Sequence, residues 1–189
     1  MLKDLHTEEG QRALAIGEAC ERRLWKMFSE SDADARWISG VEGDWLAGHD
    51  FIFKGKRVEV KSNEGASPSG FLYDTCCLEL ETRGGNTIGW SQGKADAVLL
   101  VNRAQSMGFL FHAAKLKEWS RHQPFFWKHE AKCTKLQWDQ KDAGYVDCFS
   151  LKEKLYNFLP TRIVTNEPSD GVEVSSSALS SDLDVAMNG

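Results

Sequence analysis

The stretch that decides the fold is DFIFKGKRVEVK, residues 50–61. Two β-rich runs flank a glycine, the pattern of a β-hairpin. With Gly55-Lys56 as a two-residue turn, Lys54 lies opposite Arg57, Phe53 opposite Val58, Ile52 opposite Glu59, Phe51 opposite Val60 and Asp50 opposite Lys61. Opposed residues share a face of the ladder. One face then carries Phe51, Phe53, Val58 and Val60, all apolar and fit for a core. The other carries Asp50, Ile52, Glu59 and Lys61, so two carboxylates and an ammonium converge at one end. Carboxylates on adjacent strands suit Mg²⁺, a hard cation that takes oxygen ligands and keeps several waters. Such a metal activates water and neutralises phosphate charge. A nearby lysine stabilises developing charge or helps to deprotonate the attacking water. Phosphodiester hydrolysis requires these parts. The plain alternative is a solvated hairpin face, because a pattern as short as D-x8-E-x-K recurs by chance.

Upstream, the apolar spacing predicts an amphipathic helix over 7–29, with Thr7 as N-cap and Leu14, Gly17, Cys20 or Glu21, Leu24 and Phe28 along one stripe. A short strand is expected over 35–38 and a glycine-rich loop over 40–48. Downstream come a loop over 62–70, an alternating strand over 74–82 and a turn at Arg83-Gly-Gly-Asn. Residues 97–102, AVLLVN, read as a strand buried on both faces. A strand over 109–112, a helix over 113–121, an edge strand over 145–149 and a helix over 151–158 complete the body. Residues 123–142 show no clear period. The element order implies one α/β (α+β) body with a mixed central β-sheet flanked by helices.

The layout of an Asp, a short strand, a turn and then Glu59-Val-Lys61 resembles the PD-(D/E)XK nuclease superfamily, whose fold is restriction-endonuclease-like. The proline that often precedes the Asp is replaced here by His49. Resolvase-like members carry G-x-x-x-E on the preceding helix, and Gly17-Glu-Ala-Cys-Glu21 fits that pattern, with Glu18 as the alternative. Gly89-Trp90, followed by Ala95-Asp96 before the buried strand, is similar to a segment of phage and bacterial members. The resemblance covers residues 10–115. It implies a metal-dependent DNA endonuclease acting in phage or mobile-element DNA processing and leaving 5′-phosphate and 3′-hydroxyl ends. By the same resemblance Asp50, Glu59 and the Val60 carbonyl bind Mg²⁺ (Mn²⁺ substituting), Lys61 positions or activates water, and Glu21 serves a second metal directly or through water. For Asp96 a capping role is expected rather than metal binding, and for Trp90 a place in the core.

Lys54, Lys56 and Arg57 at the turn, and Lys117 and Arg121 four residues apart on a helix, are the expected DNA contacts. Residues 121–135 interleave aromatics with bases, a mixture that suits phosphate contact with base stacking and equally suits a core strand. The net charge of −5 is uneven. Five acids and no Lys or Arg lie beyond Val164, so residues 1–163 are neutral and any basic surface is local. The acidic, Ser-rich stretch 164–189 is expected to be a disordered tail. Five cysteines without a C-x-x-C point to free thiols in a reducing cytoplasm. The spacing of His122, His129 and Cys133 matches no common zinc finger. The chain shows neither a membrane span nor a secretory leader. A homodimer is one arrangement by which such folds cut both strands; no dimer seam is legible. A non-catalytic nucleic-acid-binding or assembly protein with the same fold, and an unrelated α/β protein, remain the competing readings.

Overall fold

The computed structural model describes residues 8–38, 48–85, 89–128 and 130–151. It is a mixed α+β structure. Thr7, most of the 40–48 loop, the helix expected over 151–158 and the expected 164–189 tail lie outside the described residues.

Helix α1 spans Glu8–Ser31. Cys20, Leu24 and Phe28 recur at helical spacing and are buried, whereas Leu14, expected on the same stripe, is exposed. The reason is positional: Arg12, Ala13, Ile16 and Gly17 overhang a cleft, so the first turns have no sheet beneath them. Phe28 stacks on Phe53 at 4.6 Å and meets Phe51 edge-on at 5.2 Å. This contact seats the helix on the hairpin formed by β2 (Phe51–Phe53) and β3 (Lys56–Asn63).

The hairpin register differs from expectation by two residues. Phe51 faces Val58, Ile52 faces Arg57 and Phe53 faces Lys56, so the turn is Lys54-Gly55. Both turn residues have positive φ, 47° and 72°, the type I′ geometry that matches strand twist and favours glycine in the second position. Asp32, just beyond α1, accepts the Lys54 N–H at 2.6 Å and holds the turn against the helix end. A two-residue slip preserves strand parity. Phe51, Phe53, Val58 and Val60 therefore still form the core face.

The central sheet has six strands in the order β1 (Arg36–Trp37), β2, β3, β5 (Ala97–Asn102), β6 (Met107–His112) and β9 (Tyr145–Ser150). Only β3 and β5 run parallel, with Val58 beside Ala97 through Asn63 beside Asn102. Every residue of β5 is buried, as a central strand requires. One face packs on α1 through Phe51, Val60, Leu99 and Leu110. The other packs Val98, Leu100, Phe109 and Phe111 against α2 (Ala113–Arg121) and part of a second sheet.

Beside the expected mixed central sheet lies a second one. β4 (Thr75–Thr82) leaves the central layer and pairs with β8 (Ala131–Gln137), which pairs with β7 (Phe126–Lys128). β5 occupies the place beside β3, and β4 finds its antiparallel partner in the segment without a legible period. Trp90 is a core residue, 1% exposed, with its indole N–H on the Glu79 carbonyl at 2.8 Å. Among the described residues no helix is long and apolar enough to cross a membrane. All five cysteines are free thiols.

Candidate active site

The backbone brings Asp50, Glu59 and Lys61 together by a route the expected register did not contain. Asp50 precedes the first paired residue of β2. Its N–H bonds the Val58 carbonyl at 2.9 Å, and its carboxylate accepts the Val60 N–H at 2.6 Å. Asp50 is thus anchored to β3 between the two residues of the E-x-K pair. The N–H and C=O of one strand residue project toward the same edge, so the Val60 carbonyl faces the edge where Asp50 sits. Glu59 is 5% exposed and forms a 2.6 Å ion pair with the half-buried Lys61.

The electrostatics follow from this crowding. Burial first, and then the Glu59 carboxylate, push the pKa of Asp50 from 3.8 up to about 7. Lys61 and the Val60 N–H oppose the rise, and Glu21 adds to it. Burial draws the Lys61 ammonium down, but Glu59, Asp50 and Glu79 more than offset it and hold the group above its ordinary range. Two carboxylates and one ammonium leave a net negative pocket. An added cation would relieve it.

Glu21 is the α1 glutamate that turns inward; Glu18 is exposed. Glu21 accepts the Trp37 indole N–H at 3.0 Å and is close enough to Asp50 to disfavour its charged form. It does not join Asp50 and Glu59 in a ligand group: among the described residues no three His, Cys, Asp or Glu side chains are gathered as a metal site. The donors that fit a divalent cation are Asp50, Glu59 and the Val60 carbonyl, an oxygen set that leaves room for water.

A cleft of about 960 Å³ opens beside this cluster. Val60 and Lys61 form part of its floor, and Arg12 comes from α1. The loop after β3 contributes Glu64, Gly65 and Ala66, and the second sheet contributes Glu79 and Lys128. The loop expected over 62–70 therefore borders the cleft, although β3 itself runs on to Asn63. Gly65 takes φ +68°, and a Cβ there would lie 2.0 Å from the Asn102 side-chain oxygen. Only glycine lets this backbone close over the end of β5.

The expected DNA contacts are not gathered at the cluster. Lys54, Lys56 and Arg57 sit at the turn end of the hairpin. Lys56 and Lys61 are five residues apart on one strand, roughly 16 Å at the usual rise. Arg57 is engaged in a bidentate pair with Asp96 at 2.8 and 3.0 Å, while Asp96 also accepts the Arg57 N–H. Asp96 is thereby a structural clasp between β3 and β5. Lys117 lies on α2 beside Gly93, and Arg121 pairs with Glu118 at 3.0 Å; neither lines the cleft.

Several cleft residues were not singled out from sequence. Arg103 is 6% exposed, follows β5 and pairs with Glu64 at 2.9 Å. Its signal was a cation directly after a fully apolar strand. Glu79 came from the alternating run of β4, but nothing local placed that strand over Lys61. Arg12 and Tyr73 carried no signal of their own, and Lys128 only its place in the mixed aromatic and basic stretch 121–135.

Compared with protein-family models, curated proteins and solved structures, the chain matches none.

Proposed function

We propose that this chain is a metal-dependent DNA endonuclease of the PD-(D/E)XK kind, hydrolysing phosphodiester bonds to 5′-phosphate and 3′-hydroxyl ends. One observation carries the reading. Asp50 is anchored by the Val60 N–H between Glu59 and Lys61, at the edge of an open cleft. A pure structural hairpin has no use for a partly buried carboxylate whose charged form is disfavoured by a second carboxylate.

Each residue has a part. Asp50, Glu59 and the Val60 carbonyl would hold Mg²⁺ or Mn²⁺. When bound, the ion supplies charge neutralisation on the phosphate and acidifies water. Glu59 fixes the Lys61 ammonium at 2.6 Å and keeps it protonated, so Lys61 presents positive charge to the phosphate as negative charge develops on its oxygens. Water attacks phosphorus and gives up a proton to solvent, the bond from phosphorus to the 3′-oxygen breaks, and that oxygen takes a proton from solvent, leaving a 3′-hydroxyl and a 5′-phosphate. Trp37 holds Glu21 at the border of the cluster, where Glu21 orients water.

The test is cleavage of supercoiled plasmid and of labelled branched and single-stranded DNA, with Mg²⁺, with Mn²⁺ and with chelator, beside Lys61→Ala and Asp50→Asn. Metal-dependent nicking that both substitutions abolish is the expected result. Folded wild-type protein that cuts nothing would favour the binding or assembly reading. Cleavage that survives both substitutions would place the chemistry elsewhere.

A further inference from the structure

The second sheet exposes more aromatic surface than a structural sheet requires. Phe125 and Trp127 are 54% and 47% exposed, and every residue of β7 is exposed. Each ring carries a cation: the Lys132 ammonium lies 4.4 Å from the Phe125 ring, and the Arg83 guanidinium 5.7 Å from Trp127. The two rings meet edge-on at 6.5 Å. The result is a continuous row of Lys132, Phe125, Trp127 and Arg83. Side chains alternate along a strand, so the residue after Trp127, Lys128, faces the other way and lines the cleft that holds Lys61. A chain leaving the cleft past Lys128 crosses the β7 edge directly onto the row. On the opposite rim, the half-exposed Tyr73 lines the same cleft.

We propose that this row is a stacking platform for unpaired DNA, so that the substrate of the neighbouring cluster carries a single-stranded segment next to the bond that is cut. The inference rests on the nuclease reading for the identity of the ligand. Two adjacent rings flanked by cations suit stacked bases with phosphates at either end, because a base presents a π-face and a phosphate meets a charge, the Lys132 ammonium being shared with Glu81 at 3.2 Å. Bases of an intact duplex are stacked on one another and cannot lie on Trp127. A cleft of about 960 Å³ has the size of a ligand pocket, enough for a few nucleotides of one strand.

The experiment is fluorescence anisotropy of the full chain in chelator, so that binding is read without cleavage. The probes are a labelled oligo(dT) of roughly 12 nucleotides, within the site size of such platforms, and its duplex with oligo(dA). Tighter binding of the single strand is expected. Trp127→Ala and Phe125→Ala should each weaken that binding about five- to a hundredfold, and Trp127→Phe should retain most of it. Because both rings are exposed, the variants should keep the wild-type melting temperature. Duplex bound as tightly as single strand, or variants that bind oligo(dT) like wild type, overturn the proposal. So does a Trp127→Ala protein that changes from dimer to monomer in sedimentation with binding unaltered, since the row would then be a self-association surface. Ring-dependent binding without any cleavage counts against the nuclease and not the platform. Cleavage with ring-independent binding counts against the platform alone.

Discussion

Replacing Asp50 by Asn should stabilise the metal-free protein, and by an amount that grows with pH. Burial and Glu59 raise the pKa of Asp50 from 3.8 to about 7. Between those values the folded state binds the proton and the unfolded state does not. Stability therefore falls as pH rises through this window, and the full loss is reached above pH 7. At 1.36 kcal/mol per pH unit the ceiling is about 4 kcal/mol. Asp50 is partly exposed, and solvent screening and sharing of the proton with Glu59 bring a realistic figure to about 2 kcal/mol. Asn cannot ionise, yet its side-chain oxygen still accepts the Val60 N–H. For a chain of this size 2 kcal/mol raises Tm by about 4–8 °C. The assay is thermal unfolding by circular dichroism in chelator from pH 4 to pH 8. Wild type and Asp50→Asn should melt together at pH 4 and diverge toward pH 8, with the variant higher. Adding Mg²⁺ at pH 8 should raise the wild-type Tm and leave the variant where it was. A variant less stable than wild type at pH 8, or a gap that does not change with pH, refutes the reasoning.

Three further substitutions probe the frame around the cluster. Gly65→Ala forces a Cβ into the Asn102 amide at a positive φ and should destabilise by about 2–4 kcal/mol; a urea midpoint unchanged from wild type would show that the loop relaxes. Arg57→Ala removes the bidentate bond to Asp96, whose side chains are 45% and 32% exposed. It should lower stability by about 1 kcal/mol while cleavage persists, so a nuclease-dead Arg57→Ala protein would make Arg57 a substrate contact after all. Trp37→Phe deletes the donor to Glu21 and should cost about 1 kcal/mol in a denaturant melt; no loss would mean that Glu21 finds another donor.

Which parts of this structure were legible in the sequence depends on the range of the forces that set them. The helix from Ala113 to Arg121, the buried strand from Ala97 to Asn102 and the two faces of the hairpin are written in local periodicity, and the structure has them. The hairpin register is not. With one glycine between the two runs, the turn could begin or end on Gly55. The deciding contacts are Asp32 on the Lys54 N–H and Phe28 against Phe53, and both come from another element. β8 is not legible because its buried residues, Cys133, Thr134 and Leu136, do not alternate strictly, and β7 because its three residues, Phe126, Trp127 and Lys128, are all exposed. A strand without an apolar face shows no period of two.

The same distinction explains why Asp50, Glu59 and Lys61 come together although the register differs from the expected one. A two-residue slip moves Asp50 from opposite Lys61 to the gap beside Val60, yet it leaves Asp50, Glu59 and Lys61 on one side of the sheet. Parity assigned those three residues to one face, and parity survives any even slip. What parity cannot supply is the third dimension. Glu79 near Lys61, Arg103 on Glu64 and Lys128 across the cleft all come from elements distant in sequence. The parallel step from β3 to β5 makes this arrangement. It needs a long crossover, and here the crossover carries β4 away from the central layer to build the opposite wall of the cleft over the E-x-K strand. A crossover that had paired β4 beside β3 would have left Lys61 on an open sheet face, with no wall facing it.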